Sequence, residues 1–262
     1  MTMYLYVNNP ELYAQDILSS LNLTPPVDIF KVCETYELKV NYENIRSAEA
    51  LLIVSKGKKN IIINNRKILF IPRQRFSIAH EEGNFFIPWH RNICTCSNIG
   101  DFSLDNLEEN QAYIFAAELL IPTNILLPKI EDKVITLELI KELAQEFNVS
   151  LVAMTRKVIS ITQDKVIAMV YYSNGAKIVQ AKSSSFDFNL KPGIIKGSAA
   201  KELLHNRYSN ETVKRILKCD VWFQENSDDF EIVEESLYQP NFSRVFTILR
   251  IANDMDYDGS LF

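Results

Sequence analysis

Residues 73–90 read Arg73-Gln74-Arg75-Phe76-Ser77-Ile78-Ala79-His80-Glu81-Glu82-Gly83-Asn84-Phe85-Phe86-Ile87-Pro88-Trp89-His90. The first part predicts a helix over about 73–86. It stops before Pro88, because proline carries no amide proton and disfavours helix in the residue before it. Positions 80 and 84 then share one helix face. A His-Glu-x-x-His pattern there would set two imidazoles on one zinc, with the glutamate as base for a zinc-bound water. Here the second imidazole position holds Asn84.

Working outward, Ile61-Ile62-Ile63-Asn64 precedes this helix as an apolar strand. Gln111-Ala112-Tyr113-Ile114-Phe115-Ala116-Ala117-Glu118-Leu119-Leu120-Ile121-Pro122 follows it, on a predicted helix over 107–120 closed by Pro122. Together these blocks resemble the ImmA/IrrE metallopeptidase-like family. Residues 143–150 resemble the helix-turn-helix that follows in that family. Trp222-Phe223, Val233-Glu234-Glu235-Ser236 and Phe246-Thr247-Ile248-Leu249 resemble its β-rich C-terminal region.

The resemblance implies an α+β chain with a zincin-like metallopeptidase domain at 1–128. The change of pattern along the chain sets boundaries near 128 and 163, giving a helix-turn-helix-like segment at 129–163 and a β-rich C-terminal domain at 164–262 for which a sensory role is one reading. The resemblance also implies a ligand set of His, His and Glu for zinc. The matching positions hold His80, Asn84 and Gln111, with Glu81 retained as the catalytic base. A neutral carboxamide oxygen suits hard cations in oxygen-rich cages and is a poor zinc ligand. Two of three ligands are replaced, so tight zinc is not expected, and Glu81 then has no activated water to deprotonate. The bland expectation is a hydrogen-bonded cluster of His80, Asn84 and Gln111 between two helices.

Other candidates are weaker. Glu108 lies one helical turn before Gln111, about 4.5 Å along the axis, whereas Glu118 lies about 10.5 Å beyond it, too far to share a ligand site. His90, Cys94 and Cys96 form a loose downstream cluster without a standard zinc spacing. Arg73, Arg75, Glu81 and Glu82 read as a solvated ion-pair face. Asp254, Asp256 and Asp258 read as a solvated tail.

Composition narrows the function class. The chain has 262 residues, 47% hydrophobic and 23% charged, with a net charge of −5. That is a folded chain without the basic footprint of a general nucleic-acid binder. Its seven glycines fit neither a Walker-A loop nor G-x-G-x-x-G. Four cysteines without a framework pattern, and no apolar run of membrane length, predict a reduced cytoplasmic protein. Within 129–165, Lys129, Lys133, Lys141, Arg156, Lys157 and Lys165 balance Glu131, Asp132, Glu138, Glu142, Glu146 and Asp164. A DNA reader needs a basic excess to neutralise phosphates, so specific DNA binding is not expected.

Local signals predict the remaining elements. Asn9-Pro10-Glu11 opens a first helix to about residue 21, and Thr24-Pro25-Pro26 opens a second. Residues 38–42 read as a strand. Residues 51–54 and 61–63 read as a hairpin around Gly57. Two helices over 136–160 are split by Asn148-Val149-Ser150, with Ser150 as N-cap. Strands are expected at 166–172 and 177–181 around Asn174-Gly175, and at 221–223, 230–233 and 245–251.

The leading functional reading is a regulatory protein on a zincin-like scaffold, without tight zinc. It acts by binding a protein partner, which the resemblance makes a helix-turn-helix repressor from a mobile-element or stress circuit. The alternative is an active zinc metalloendopeptidase with altered ligands that cleaves such a repressor. A third reading makes the C-terminal domain a small-ligand sensor.

Overall fold

The computed structural model describes residues 9–45, 48–66, 70–90, 107–172, 177–193, 195–206, 211–224, 230–253 and 256. The chain is α+β, with eight α-helices and two sheets among the described residues. Two compact units are present: Met1–Pro128 with Leu143–Met154, and Lys129–Glu142 with Thr155–Phe262.

In the first unit, α1 (Pro10–Ser20) starts where expected, with the Asn9 side chain accepting from the Glu11 amide. Helix α2 (Ile29–Thr35) is opened by Asp28, whose carboxylate accepts from the Phe30 and Lys31 amides, and not by Thr24-Pro25-Pro26. An N-cap oxygen satisfies the first-turn amides that a proline pair leaves unpaired. Strands β1 (Leu38–Glu43), β2 (Ala50–Ser55) and β3 (Lys58–Asn64) form a sheet in the order β1-β3-β2. Strand β3 runs parallel to β1 and antiparallel to β2. Lys56 and Gly57, both at positive φ, make the two-residue turn between β2 and β3, a geometry that matches strand twist.

Register places Ala50 beside Ile63 and Leu52 beside Ile61, giving one apolar face. Helix α3 (Ile71–Phe86) packs on this sheet, and α4 (Leu107–Leu120) packs on α3 and α1. Gly83 lets the last two helices approach. A Cβ there would lie 3.0 Å from Phe115 Cδ1 and 3.2 Å from the Ala112 backbone. A further helix, α5 (Thr123–Ile130), follows Pro122 where the sequence reading placed none. Glu118 opens it, accepting from the Thr123 amide and hydroxyl, and also ties α1 through Gln15. Helices α6 (Leu137–Glu146) and α7 (Leu151–Ile161) are joined by residues 147–150, with Asn148 at positive φ and the Ser150 hydroxyl accepting from Ala153.

The second unit holds an antiparallel sheet of β4 (Val166–Tyr172), β5 (Lys177–Lys182), β6 (Thr212–Lys218), β7 (Glu231–Gln239) and β8 (Arg244–Ile251), in the order β5-β4-β8-β7-β6. Helix α8 (Ala199–Asn206) packs on β7 and β8 over a core that includes Trp222, Phe223, Ile232 and Leu249. The sequence reading expected a little helix in 164–262 without placing α8, and it omitted β6. Its proposed strand at 221–223 is instead a short 3-10 turn at Cys219–Val221, followed by an isolated bridge from Phe223 to Leu190. The turn at Asn174-Gly175 lies outside the described residues.

Adjacent glutamates on β7 point to opposite faces, as strand geometry requires. Glu234 accepts from the Ala199 and Ala200 amides and from Trp222 Nε1, holding the N-terminus of α8. Glu235 accepts from the Leu137 amide at the start of α6. Asp256 is no solvated tail: it is buried and takes a bidentate bond from Arg250 and another from Lys214. Asp254 and Asp258 lie outside the described residues. Among the described residues no single helix is long and apolar enough to cross a membrane.

Candidate functional site

Helix α3 presents His80, Glu81 and Asn84, and α4 presents Glu109 and Gln111; all but Glu109 are buried. The helices are held together by apolar contacts around them, with Phe86 and Phe115 stacked at 6.0 Å and Phe76 against Tyr113 at 5.0 Å. The polar groups therefore sit in a low-dielectric seam, where each needs a partner.

The partners differ from the expected cluster. His80 Nε2 lies 3.1 Å from Glu109 Oε2, and its buried Nδ1 has no hydrogen-bond partner among the described residues. His80 thus does not bridge Asn84 and Gln111. The bridging imidazole belongs to His90. Its Nδ1 is 3.1 Å from Asn84 Oδ1 and its Nε2 is 3.0 Å from Gln111 Oε1. Trp89 Nε1 donates to the same Gln111 oxygen at 2.7 Å. Asn84 Nδ2 donates to Glu81 Oε2 at 3.4 Å.

Donor accounting fixes the polarity of this chain. An indole N–H only donates, so Gln111 Oε1 accepts from Trp89, and His90 Nε2 lies beside the same oxygen. Asn84 turns its NH2 to the Glu81 carboxylate, which leaves its carbonyl for His90 Nδ1. Both ring nitrogens of His90 therefore face acceptor oxygens.

Neighbouring positions resolve differently from the sequence reading as well. Glu81 and Glu82 are fully buried and form no solvated ion-pair face. Arg73 instead makes a bidentate pair with Glu49, and Arg75 donates to the Val27 and Asn148 carbonyls. Burial pushes the Glu82 carboxyl up to about 8, only partly offset by the Cys33 thiol and by Arg75. The Cys33 thiol, which donates to Glu82 at 3.2 Å, is pushed far above its ordinary value by burial and by that carboxyl. At neutral pH the protonated acid is the favoured form of Glu82, and Cys33 stays a thiol. His90 is buried and belongs to the seam, not to an open polar loop, while Cys94 and Cys96 lie outside the described residues. The role of His90 was missed because it depends on a turn at 87–90, in which the His90 amide donates to Ile87. Two amide oxygens at positions 84 and 111, each in need of a donor, were the signal available.

The donor set can be tested against the zinc that the resemblance implies. Two donors on one zinc lie within about 4.4 Å of each other, twice the longest ordinary Zn–O distance. Hydrogen bonds point outward from the ring nitrogens, so oxygens on both sides of the His90 ring are separated by roughly 6–8 Å. Both oxygens are also already engaged. Among the described residues no group of three His, Cys, Asp or Glu side chains is placed to hold an ion. The residues present do not fit zinc.

Comparison with known proteins accords with the architecture. Residues 33–158 match the IrrE N-terminal-like domain of the M78 peptidases. Over 99 residues the chain is 28% identical to the Metallopeptidase ImmA of Bacillus subtilis (strain 168). That match takes in 38% of this chain and 57% of the relative, little more than half its length. A solved structure of a Mycobacterium tuberculosis transcriptional regulator superimposes with a TM-score of 0.63. It covers 97% of this chain and 93% of its own at 10% identity, a likeness of fold.

Proposed function

We propose, from the IrrE N-terminal-like domain that residues 33–158 match, a regulatory protein of the ImmA/IrrE family that works by binding a protein partner, without zinc-dependent peptide hydrolysis. The observation that carries this reading is the engagement of Asn84 Oδ1 and Gln111 Oε1 by His90 and Trp89. Family ligand positions have become acceptors in an internal hydrogen-bond chain. Glu81, the base in the resemblance, is fully buried and takes a hydrogen bond from the Asn84 amide.

The partner in this proposal is a helix-turn-helix repressor, a role taken from the family resemblance. Specific DNA binding by this chain is not part of it. Thr155 and Lys157, on the second helix of the candidate DNA-reading pair, are buried. A cytoplasmic setting is part of it, since Cys33 and Cys219 are free buried thiols.

The competing reading, a metalloendopeptidase with altered ligands, would have to recruit Glu109 beside His80. The test incubates the purified protein with a candidate repressor, with and without added zinc. The repressor should be bound and remain intact. Zinc-dependent cleavage that disappears in Glu81→Gln would establish the enzyme reading instead.

A further inference from the structure

We propose that His90 is the internal substitute for the ion, a clasp that occupies the space between positions 84 and 111 and locks the exit of α3 onto α4. The inference rests on the reading that the site holds no zinc. The chain leaves α3 at Phe86, turns over Ile87 and Pro88, and lays Trp89 and His90 against α4. Tyr13 of α1 meets the Trp89 ring edge-on at 6.0 Å, so α1 supports the same turn.

The two replaced ligands suit this clasp better than the originals would. Asn84 uses both ends of its amide, setting its oxygen against His90 Nδ1 and donating its NH2 to Glu81. A histidine there would set a second ring beside His90. Gln111 takes the Trp89 N–H and the edge of the His90 ring on one oxygen, without bringing a carboxylate charge into a buried seam. Trp89 donates to Gln111, Asn84 donates to Glu81, and the His90 ring lies between the two amide oxygens. An imidazole ring thus does what an ion does in a metal site, bridging two helices through their inward side chains. His90 is in this sense a positioning residue.

The experiment is zinc titration by calorimetry on the full chain. It uses the parent, Asn84→His with Gln111→Glu, and that double variant with His90→Gln or His90→Ala added. The parent should take up no zinc. The double variant should gain zinc weakly, because His90 competes for the same space. Removing His90 should tighten it at least tenfold, an effect that a residue merely stabilising the fold would not produce. Unchanged zinc affinity on removing His90 would overturn the clasp, and weaker affinity would make His90 a ligand. Stoichiometric zinc in the parent would instead sink the functional reading beneath it.

A second readout needs no ligand restoration. The chain has three histidines, so the ring N–H protons of His90 are assignable by nuclear magnetic resonance against His90→Gln. A slowly exchanging ring N–H proton, absent in the variant, is expected. Ring protons that exchange as fast as those of an exposed histidine would contradict the bridge.

Discussion

A Cβ on Gly83 would press within 3.0 Å of the Phe115 ring and 3.2 Å of the Ala112 backbone, and backbone cannot give way as a flexible side chain can. Alanine improves helix propensity by up to about 1 kcal/mol. Overpacking costs about 1–3 kcal/mol. Gly83→Ala is therefore expected to destabilise by about 1–2 kcal/mol net in urea unfolding, and Gly83→Val by more. Equal or greater stability of the alanine variant would mean that α3 and α4 are not held at this distance. A second residue-scale expectation concerns Asp256. The Arg250 guanidinium, with help from the Asn253 amide and Lys214, holds its carboxyl well below the usual value of 3.8. A depressed acid stabilises the fold above the unfolded value and loses that contribution as pH falls below it. Asp256→Asn should therefore lower the urea midpoint at pH 7, and the gap to the parent should close in acid, below about pH 3.8. A constant gap would remove the ion pair from the account. At this scale the sequence was readable where spacing along one helix decides neighbours, as for His80, Glu81 and Asn84. It was silent where partners come from elsewhere: Glu109 for His80, and His90 for both amides.

Elements were legible where their signals are local. The Asn9-Pro10 start of α1, the Gly57 turn between β2 and β3, and Ser150 at the head of α7 each carry their own capping or turn chemistry. Helix α5 was obscured by Pro122, which ends α4 and was read as a stop, although the chain resumes a helix at once. Strand β6 reads Thr-Val-Lys-Arg-Ile-Leu-Lys, an edge strand whose charges blur the period of two. Helix α8 had one local signal, the Ser198 hydroxyl that accepts from Lys201, but its stronger anchor is Glu234, distant in sequence. That anchor is testable. Glu234→Gln replaces an acceptor oxygen by an NH2 that faces donors, and the buried amides then lose a charged partner. A loss of about 2–4 kcal/mol is expected in unfolding followed by Trp222 fluorescence in a Trp89→Phe background. A change under about 0.5 kcal/mol, typical of an unimportant surface position, would deny the anchoring role.

For the whole molecule, charge and burial argue against a DNA reader. The chain is acidic overall, the 129–165 segment is balanced in sign, and Lys157 of α7 is buried. Fluorescence anisotropy with random and candidate operator duplexes should give weak, sequence-independent binding. Nanomolar specific binding near physiological ionic strength, typical of an operator protein, would contradict this. The fold class was legible because three sequence blocks coincide with α3, α4 and the strand before them. The state of the site was legible only in part. The family resemblance points to positions 80, 84 and 111, but only the turn at 87–90 sets His90 between Asn84 and Gln111. Protein–protein action without metal chemistry is the central claim, and metal content of the native protein tests it most directly. Elemental analysis of protein purified without chelators or added metal should find zinc well below one equivalent, unchanged in His80→Ala. Zinc near one equivalent, lost in His80→Ala, would show that the seam holds an ion after all.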